Sequence, residues 1–210
     1  MELNRLKHTI RLWLTLGSGK RTEYLRSHKV FASIGENCSI MDRTIPLYAN
    51  LIRIGNNVHI ASKVNFVTHD ITHVMLNRVP QNECPYCENK RNVMSAGGGI
   101  NEKVGCIEIG DNVFIGTHTV ILPDVRIGSN VIIGACSLIN HDIPDNSVVG
   151  GVPARVIGDF ASFYAKRQNE THYPTEIRPK GQIVGEALST WCWNQFYEKR
   201  RTTDSASPKG

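Results

Sequence analysis

His69, Asp70 and His73 are the side chains of this 210-residue chain whose types and spacing best suit chemistry. An imidazole titrates near neutral pH, so His69 can take a proton from a hydroxyl and return it to a leaving group. Asp70 adjoins it and is a candidate to orient the ring. Neighbours on a strand point to opposite faces, so Asp42 or a backbone carbonyl is an equal candidate for that task. His73 lies just inside a long aperiodic stretch, where it reads as a contact for a bound molecule or as a solvated loop histidine. The same stretch holds Cys84-Pro85-Tyr86-Cys87. One CxxC is half a zinc site, and zinc wants four ligands. Cys106 and His73 would have to complete it at irregular spacing, so Cys84 and Cys87 are weak metal candidates and no metal is expected.

What must position His69 is written in a six-residue rhythm. Isoleucine stands at 109, 115, 121, 127, 133 and 139, and Gly110, Gly116, Gly128 and Gly134 follow four of them. Four residues after each isoleucine comes a small or β-branched side chain: Val113, Thr119, Val125, Val131, Ser137, then Ile143. This period fits neither an α-helix nor a two-faced strand, but it fits a parallel β-helix with three hexapeptides per coil. A weaker start at Ile34-Gly35 and Ile40 sets Cys38 and Thr44 inward. Phase slips through Ile45-Pro46-Leu47-Tyr48 and resumes at Ile54-Gly55, Ile60-Ala61 and Phe66, with Val58 and Val64 inward. The rhythm stops just after His69, where a β-helix can present a side chain to a cleft, and returns near Ile107. So long a loop is usually functional. After Ile139, HDIPDNSVVGGVPARVIG reads as further coil.

The predicted architecture is an all-β core, a parallel β-helix of hexapeptide repeats with N-terminal helices, a long excursion loop and a C-terminal helix. Its parts are an N-terminal helical cap (1–30), the β-helix domain (31–158) with the loop 70–106, and a C-terminal helix and tail (159–210). Residues 2–16 and 19–29 look helical. In the first, Leu3, Leu6, Ile10, Trp13 and Leu14 form one apolar stripe backed by Arg5, Lys7 and Arg11. The stripe is expected to pack under the open end of the coil, which needs a cover; peripheral contact with the inner membrane surface is the alternative. Residues 159–168 read as a short helix, and the remainder as a polar tail with an apolar knot at Trp191-Cys192-Trp193, Phe196 and Tyr197. The net charge of +5 suits anionic ligands without arguing for nucleic acid. No run reaches membrane-span length and no signal peptide is evident, so the six cysteines read as free thiols in a reducing cytoplasm.

The repeat IGDNVFIGTHTVILPDVRIGSNVIIGACSLI, the ending NSVVGGVPARVI and NFVTHD before a long loop together resemble the hexapeptide-repeat acetyltransferases. The likeness is to the branch of galactoside and maltose O-acetyltransferases and capsule or O-antigen polysaccharide O-acetyltransferases, over roughly residues 31–160. It implies a left-handed coil, a homotrimer with active sites between subunits, acetyl-CoA as donor and a saccharide acceptor. It also implies His69 as the catalytic base for direct attack of a sugar hydroxyl on the thioester, with a backbone N–H for the oxyanion. By matching motifs, Phe114, Gly116, Thr117, Gly134, Ala135, Asn140, His141 and Arg155 fall on the cofactor's path. His141 stands where relatives often have lysine and Gly158 where some have an arginine, which leaves the 3′-phosphate to Arg155, or to Lys166 and Arg167.

Other acceptors (an antibiotic, serine or a nucleotide amino sugar) would share these residues. A hexapeptide carbonic anhydrase would need histidines that Val113 and Cys136 replace around His118. An ice-binding ladder would repeat the single Thr117-x-Thr119. A non-catalytic trimer scaffold remains the reading from a different class.

Overall fold

The computed structural model describes residues 3–79, 99–181 and 183–205. They fall in two compact units, 1–164 and 165–210. Helices α1 (Leu3–Leu14) and α2 (Ser18–Ser27) lead into β1 (Ser33–Ile34) and β2 (Ser39–Ile40). The second turn of coil holds β3 (Ile52–Ile54), β4 (Val58–Ile60) and β5 (Asn65–Phe66), and leaves through β6 (His69–Asp70) and the short helix α3 (Thr72–Leu76). The chain re-enters at β7 (Lys103–Val104), followed by β8 (Ile107–Ile109), β9 (Val113–Ile115) and β10 (Val120–Ile121). The next turn holds β11 (Val125–Ile127), β12 (Val131–Ile133) and β13 (Leu138–Ile139). Then come β14 (Ser147–Gly150), β15 (Arg155–Asp159), α4 (Phe160–Gln168) and, in the second unit, α5 (Glu186–Ser205).

Parallel strands stack into three faces: β1-β3-β8-β11, β2-β4-β9-β12-β14 and β5-β10-β13. The hexapeptide rhythm therefore builds the parallel β-helix expected of it. A regular turn takes 18 residues, the separation bridged by the bond from Asp111 N to Ser129 Oγ. Across regular turns and across the loop excursion alike, Ile54, Ile109 and Ile127 stack in one column, Ile60, Ile115 and Ile133 in a second, and Phe66, Ile121 and Ile139 in a third. All nine are buried, and branched side chains pack well on pleated neighbours. One corner is an asparagine column: Asn37, Asn57, Asn112, Asn130 and Asn146 take left-handed φ values of 53° to 58°. Asparagine tolerates that region better than other residues with a Cβ. Its carboxamides add a ladder, Asn57 to Asn112 to Asn130 to Asn146, each rung 2.9 Å.

The phase slip has a structural cause. First and second turns are 20 residues apart, as in the bond from Glu36 N to Asn56 Oδ1. The extra length is taken up by Tyr48 in the left-handed region, φ 54°, and a 3-10 turn at Ala49–Leu51. Thr44, expected inward, is exposed with its hydroxyl on Asp42, and Ile45 takes the buried place.

Both ends of the stack are closed by donors or strands that a coil neighbour would otherwise supply. At the start, guanidinium groups cap open carbonyls: Arg5 donates to Ile45 O (2.9 Å), Arg21 to Met41 O (3.1 Å), and Arg26 to Ile34 O (3.2 Å) and Gly35 O. At the finish, the stretch read as further coil divides: through β14 it stacks parallel on β12 as expected, whereas from Arg155 it returns antiparallel along β14 as a covering strand. The apolar stripe of α1 does not pack under the coil either. Leu12 is the buried position, while Leu6, Ile10, Trp13 and Leu14 are 38%, 51%, 59% and 74% exposed. Residues 186–205, read as a polar tail, form the 20-residue α5.

Candidate active site

β6 and β7 form the neck of the excursion. His69 pairs with Val104 and Asp70 with Lys103 in an antiparallel ladder, which holds His69 at the point where the coil is interrupted. The interruption is large: stacked partners on either side of it are 55 residues apart. The His69 ring is half-buried and meets the Tyr48 ring edge-on, with centroids 5.4 Å apart at 78°. Tyr48 is itself set by the two-residue insertion, and its hydroxyl donates to Glu102 Oε2 at 3.2 Å. His69 Nδ1 is buried and has no hydrogen-bond partner among the described residues. The ring borders an open cleft of about 990 Å³ whose walls include Asp70, Ile71, Val74, Met75 and Arg78.

Neither carboxylate considered for orienting the ring reaches it. Asp70 Oδ1 accepts from Thr72 Oγ1 (2.6 Å) and Thr72 N (3.0 Å), closing the start of α3. The Thr72 hydroxyl and amide hold its carboxyl below the usual carboxylate range, and Lys103 and His73 act in the same direction. Asp42 Oδ1 accepts from Arg43 N, Thr44 N and Thr44 Oγ1 at 2.6 to 3.0 Å. His73 lies in α3, and its Nδ1 is likewise buried without a partner among the described residues.

The residues assigned to the cofactor divide between two corners. Phe114 stands outward on β9 between His59 and Ile132, 43% exposed. Gly116, Thr117, Gly134 and Ala135 make the corner that follows it. Gly116 is there because a Cβ would meet Ala135 N at 2.5 Å. Thr117 Oγ1 donates to Ser62 O at 2.6 Å, tying adjacent turns. Arg155 lies beside this corner, opposite Gly150 on β15, and is exposed. Asn140 and His141 sit instead at the next corner, joined by a 2.8 Å bond. Phe66, Ile121 and Ile139 are in one row, so the edge that carries His69 carries Asn140 and His141 further along the stack. Tyr48 and Arg78 are site neighbours that sequence reasoning missed. The phase slip was the available signal for Tyr48, and nothing in the spacing marked Arg78. Among the described residues no group of three or more metal-ligating side chains gathers, and Cys38, Cys106, Cys136 and Cys192 are free. Cys84 and Cys87 lie outside the described residues.

Residues 106–141 match the family model described as bacterial transferase hexapeptide (six repeats). The chain is 34% identical to protein CapG of Staphylococcus aureus over 175 residues, 82% of this chain and 88% of that one. It belongs to the hexapeptide-repeat acetyltransferases. Galactoside O-acetyltransferase of Lactococcus lactis subsp. lactis (strain IL1403) is 37% identical over 138 residues, 61% of this chain and 63% of that one. The solved maltose O-acetyltransferase of Clostridium difficile 630 matches at a TM-score of 0.50 and 31% identity, covering 74% of this chain and 84% of that one. The coil is thus the left-handed β-helix of this family. This hexapeptide-repeat acetyltransferase is accordingly an acetyl-CoA-dependent enzyme.

Proposed function

We propose that the chain is an O-acetyltransferase acting on a saccharide hydroxyl, in a capsular or O-antigen polysaccharide or its precursor, with His69 as general base. The observation that carries this reading is His69 itself. It stands at the mouth of a cleft, its ring steadied by Tyr48, with a buried nitrogen that has no partner among the described residues. Buried polar atoms without partners are rare, and one at a cleft mouth is explained by a partner that arrives with substrate or with a second subunit. Relatives named for galactoside and maltose support a sugar as acceptor.

The chemistry is a direct transfer. As the sugar oxygen bonds to the thioester carbonyl carbon, its proton passes to His69, because an un-ionised hydroxyl is a weak nucleophile. A backbone N–H stabilises the oxyanion. The C–S bond then breaks, and the thiolate takes the proton back from His69. In this scheme Asp70 shapes the cleft through α3, and His73 lies on the acceptor side.

The two-corner division of Phe114, Thr117, Ala135 and Arg155 from Asn140 and His141 favours a homotrimer. One subunit's His69 edge would face the other corner of its neighbour, so that donor and base meet between chains. Acetyl-CoA-dependent release of free thiol, screened against mono- and oligosaccharides, tests the proposal. Stimulation by one glycan class is expected. Stimulation by serine or an aminoglycoside, with none by any saccharide, would replace it with another acceptor.

A further inference from the structure

The apolar stripe of α1 does not take the role its pattern suggested, and among the described residues it stays exposed. At about 100° per residue, Leu12 lies roughly 150° around the helix from the centre of the Leu6, Ile10, Trp13 and Leu14 row. Leu12 is 1% exposed, and His8, on the same side, bonds through Nδ1 to the Tyr24 hydroxyl at 2.8 Å. The seated face of α1 is thus narrow, and the broad apolar face points away from the coil. Leu16, just beyond the helix, continues the patch at 79% exposure.

The surroundings of the patch are cationic. Lys7 and Arg11 flank one side, and α1 contains no Asp or Glu. On the other side Arg43 sits over the Trp13 ring at 5.3 Å and donates to Trp13 O at 3.0 Å. A face of Leu, Ile and Trp bordered by Lys and Arg is the composition that settles into the boundary between lipid headgroups and acyl chains. Twelve residues also make α1 too short to cross a bilayer, and no described helix is long and apolar enough to do so. The face therefore suits lying flat.

We propose that α1 is a peripheral membrane anchor that lays Leu6, Ile10, Trp13 and Leu14 into an anionic lipid surface, with Lys7, Arg11 and Arg43 over the headgroups. The inference goes beyond acetyl transfer and holds or fails independently of it, because its readout is partitioning rather than turnover. The occupant is an anionic lipid surface because the rim is cationic; a subunit interface is the alternative that the sedimentation arm of the test distinguishes.

The test is flotation of the full chain with phosphatidylcholine vesicles, with and without phosphatidylglycerol, at low and high salt. Wild type should float only with the anionic vesicles and lose binding as salt rises. Lys7→Glu with Arg11→Glu should weaken partitioning by well over tenfold, since each basic residue near an anionic surface is worth about fivefold. Ile10→Ser with Trp13→Ser should abolish it while leaving helix content and thiol release in solution unchanged. Wild-type protein that stays with the soluble fraction in every mixture overturns the proposal. So does an Ile10→Ser/Trp13→Ser protein whose sedimentation mass falls, which would make the stripe a subunit interface.

Discussion

Asp70→Asn separates two jobs that an aspartate beside a catalytic histidine can have. In the structure its Oδ1 takes the Thr72 hydroxyl at 2.6 Å and the Thr72 amide at 3.0 Å, and His69 Nδ1 receives nothing from it. An asparagine keeps Oδ1 and both contacts, losing only a charge that faces solvent, Lys103 and His73. The Thr72 cap, the neck at β6 and β7, and the pose of His69 should all survive. We expect kcat/KM for the preferred saccharide to stay within about threefold of wild type. Where a carboxylate does hold the catalytic imidazole, the same change lowers kcat by about 10⁴-fold. Initial rates of thiol release at several acceptor concentrations distinguish these outcomes. A loss of a thousandfold or more, with acetyl-CoA affinity intact, would refute the reasoning and return Asp70 to the role of ring orienter.

Three further outcomes follow from the coil and the neck. Ile115→Ala empties a site that is 0% exposed and stacked between Ile60 and Ile133, and should cost about 2–5 kcal/mol in denaturant unfolding; a change below about 0.5 kcal/mol would contradict the stacking. Gly116→Ala forces contacts of 2.5 Å to Ala135 N and 2.8 Å to Gly134 C toward the ordinary 3.4 Å, across the bond from Gly116 N to Ile133 O. That strain should cost about 1–3 kcal/mol and weaken acetyl-CoA binding measured by calorimetry; unaltered stability would contradict the close approach. The Thr72 amide should titrate with Asp70. Because the folded carboxyl is depressed, the contact is fully present above the ordinary value of about 3.9 and is lost as pH falls through the lower folded value. An NMR midpoint at or above 3.9 would contradict the contact.

The coil was legible because its demand is local and repeated: every sixth residue must stack on its counterpart, and Ile109 to Ile139 obey without exception. Thr44 was misplaced because the chain leaves the period already between Ile40 and Ile45, before the turn at Tyr48, and a period cannot locate such a departure to the residue. The carbonyl caps from Arg5, Arg21 and Arg26 were illegible for a different reason. They join the helices to strand edges, and no spacing encodes which edge lacks a neighbour. The stripe on α1 was visible, but amphipathicity states that a partner exists and not where it lies. At the site, His69 was legible from the break in the rhythm. The orientation of Asp70 was not, since it depends on whether Thr72 outcompetes the imidazole for the carboxylate. Arg155 was read as part of the coil, and only the return of β15 along β14 shows it on a covering strand.

The central claim is that His69 moves the proton. We would measure thiol release and acetyl-CoA affinity side by side for wild type and His69→Ala, in the presence of the saccharide that stimulates turnover best. The account predicts wild-type affinity and an intact oligomer in the variant, with acceptor-dependent release lost by about 10²–10⁴-fold. Unchanged turnover in His69→Ala would contradict it.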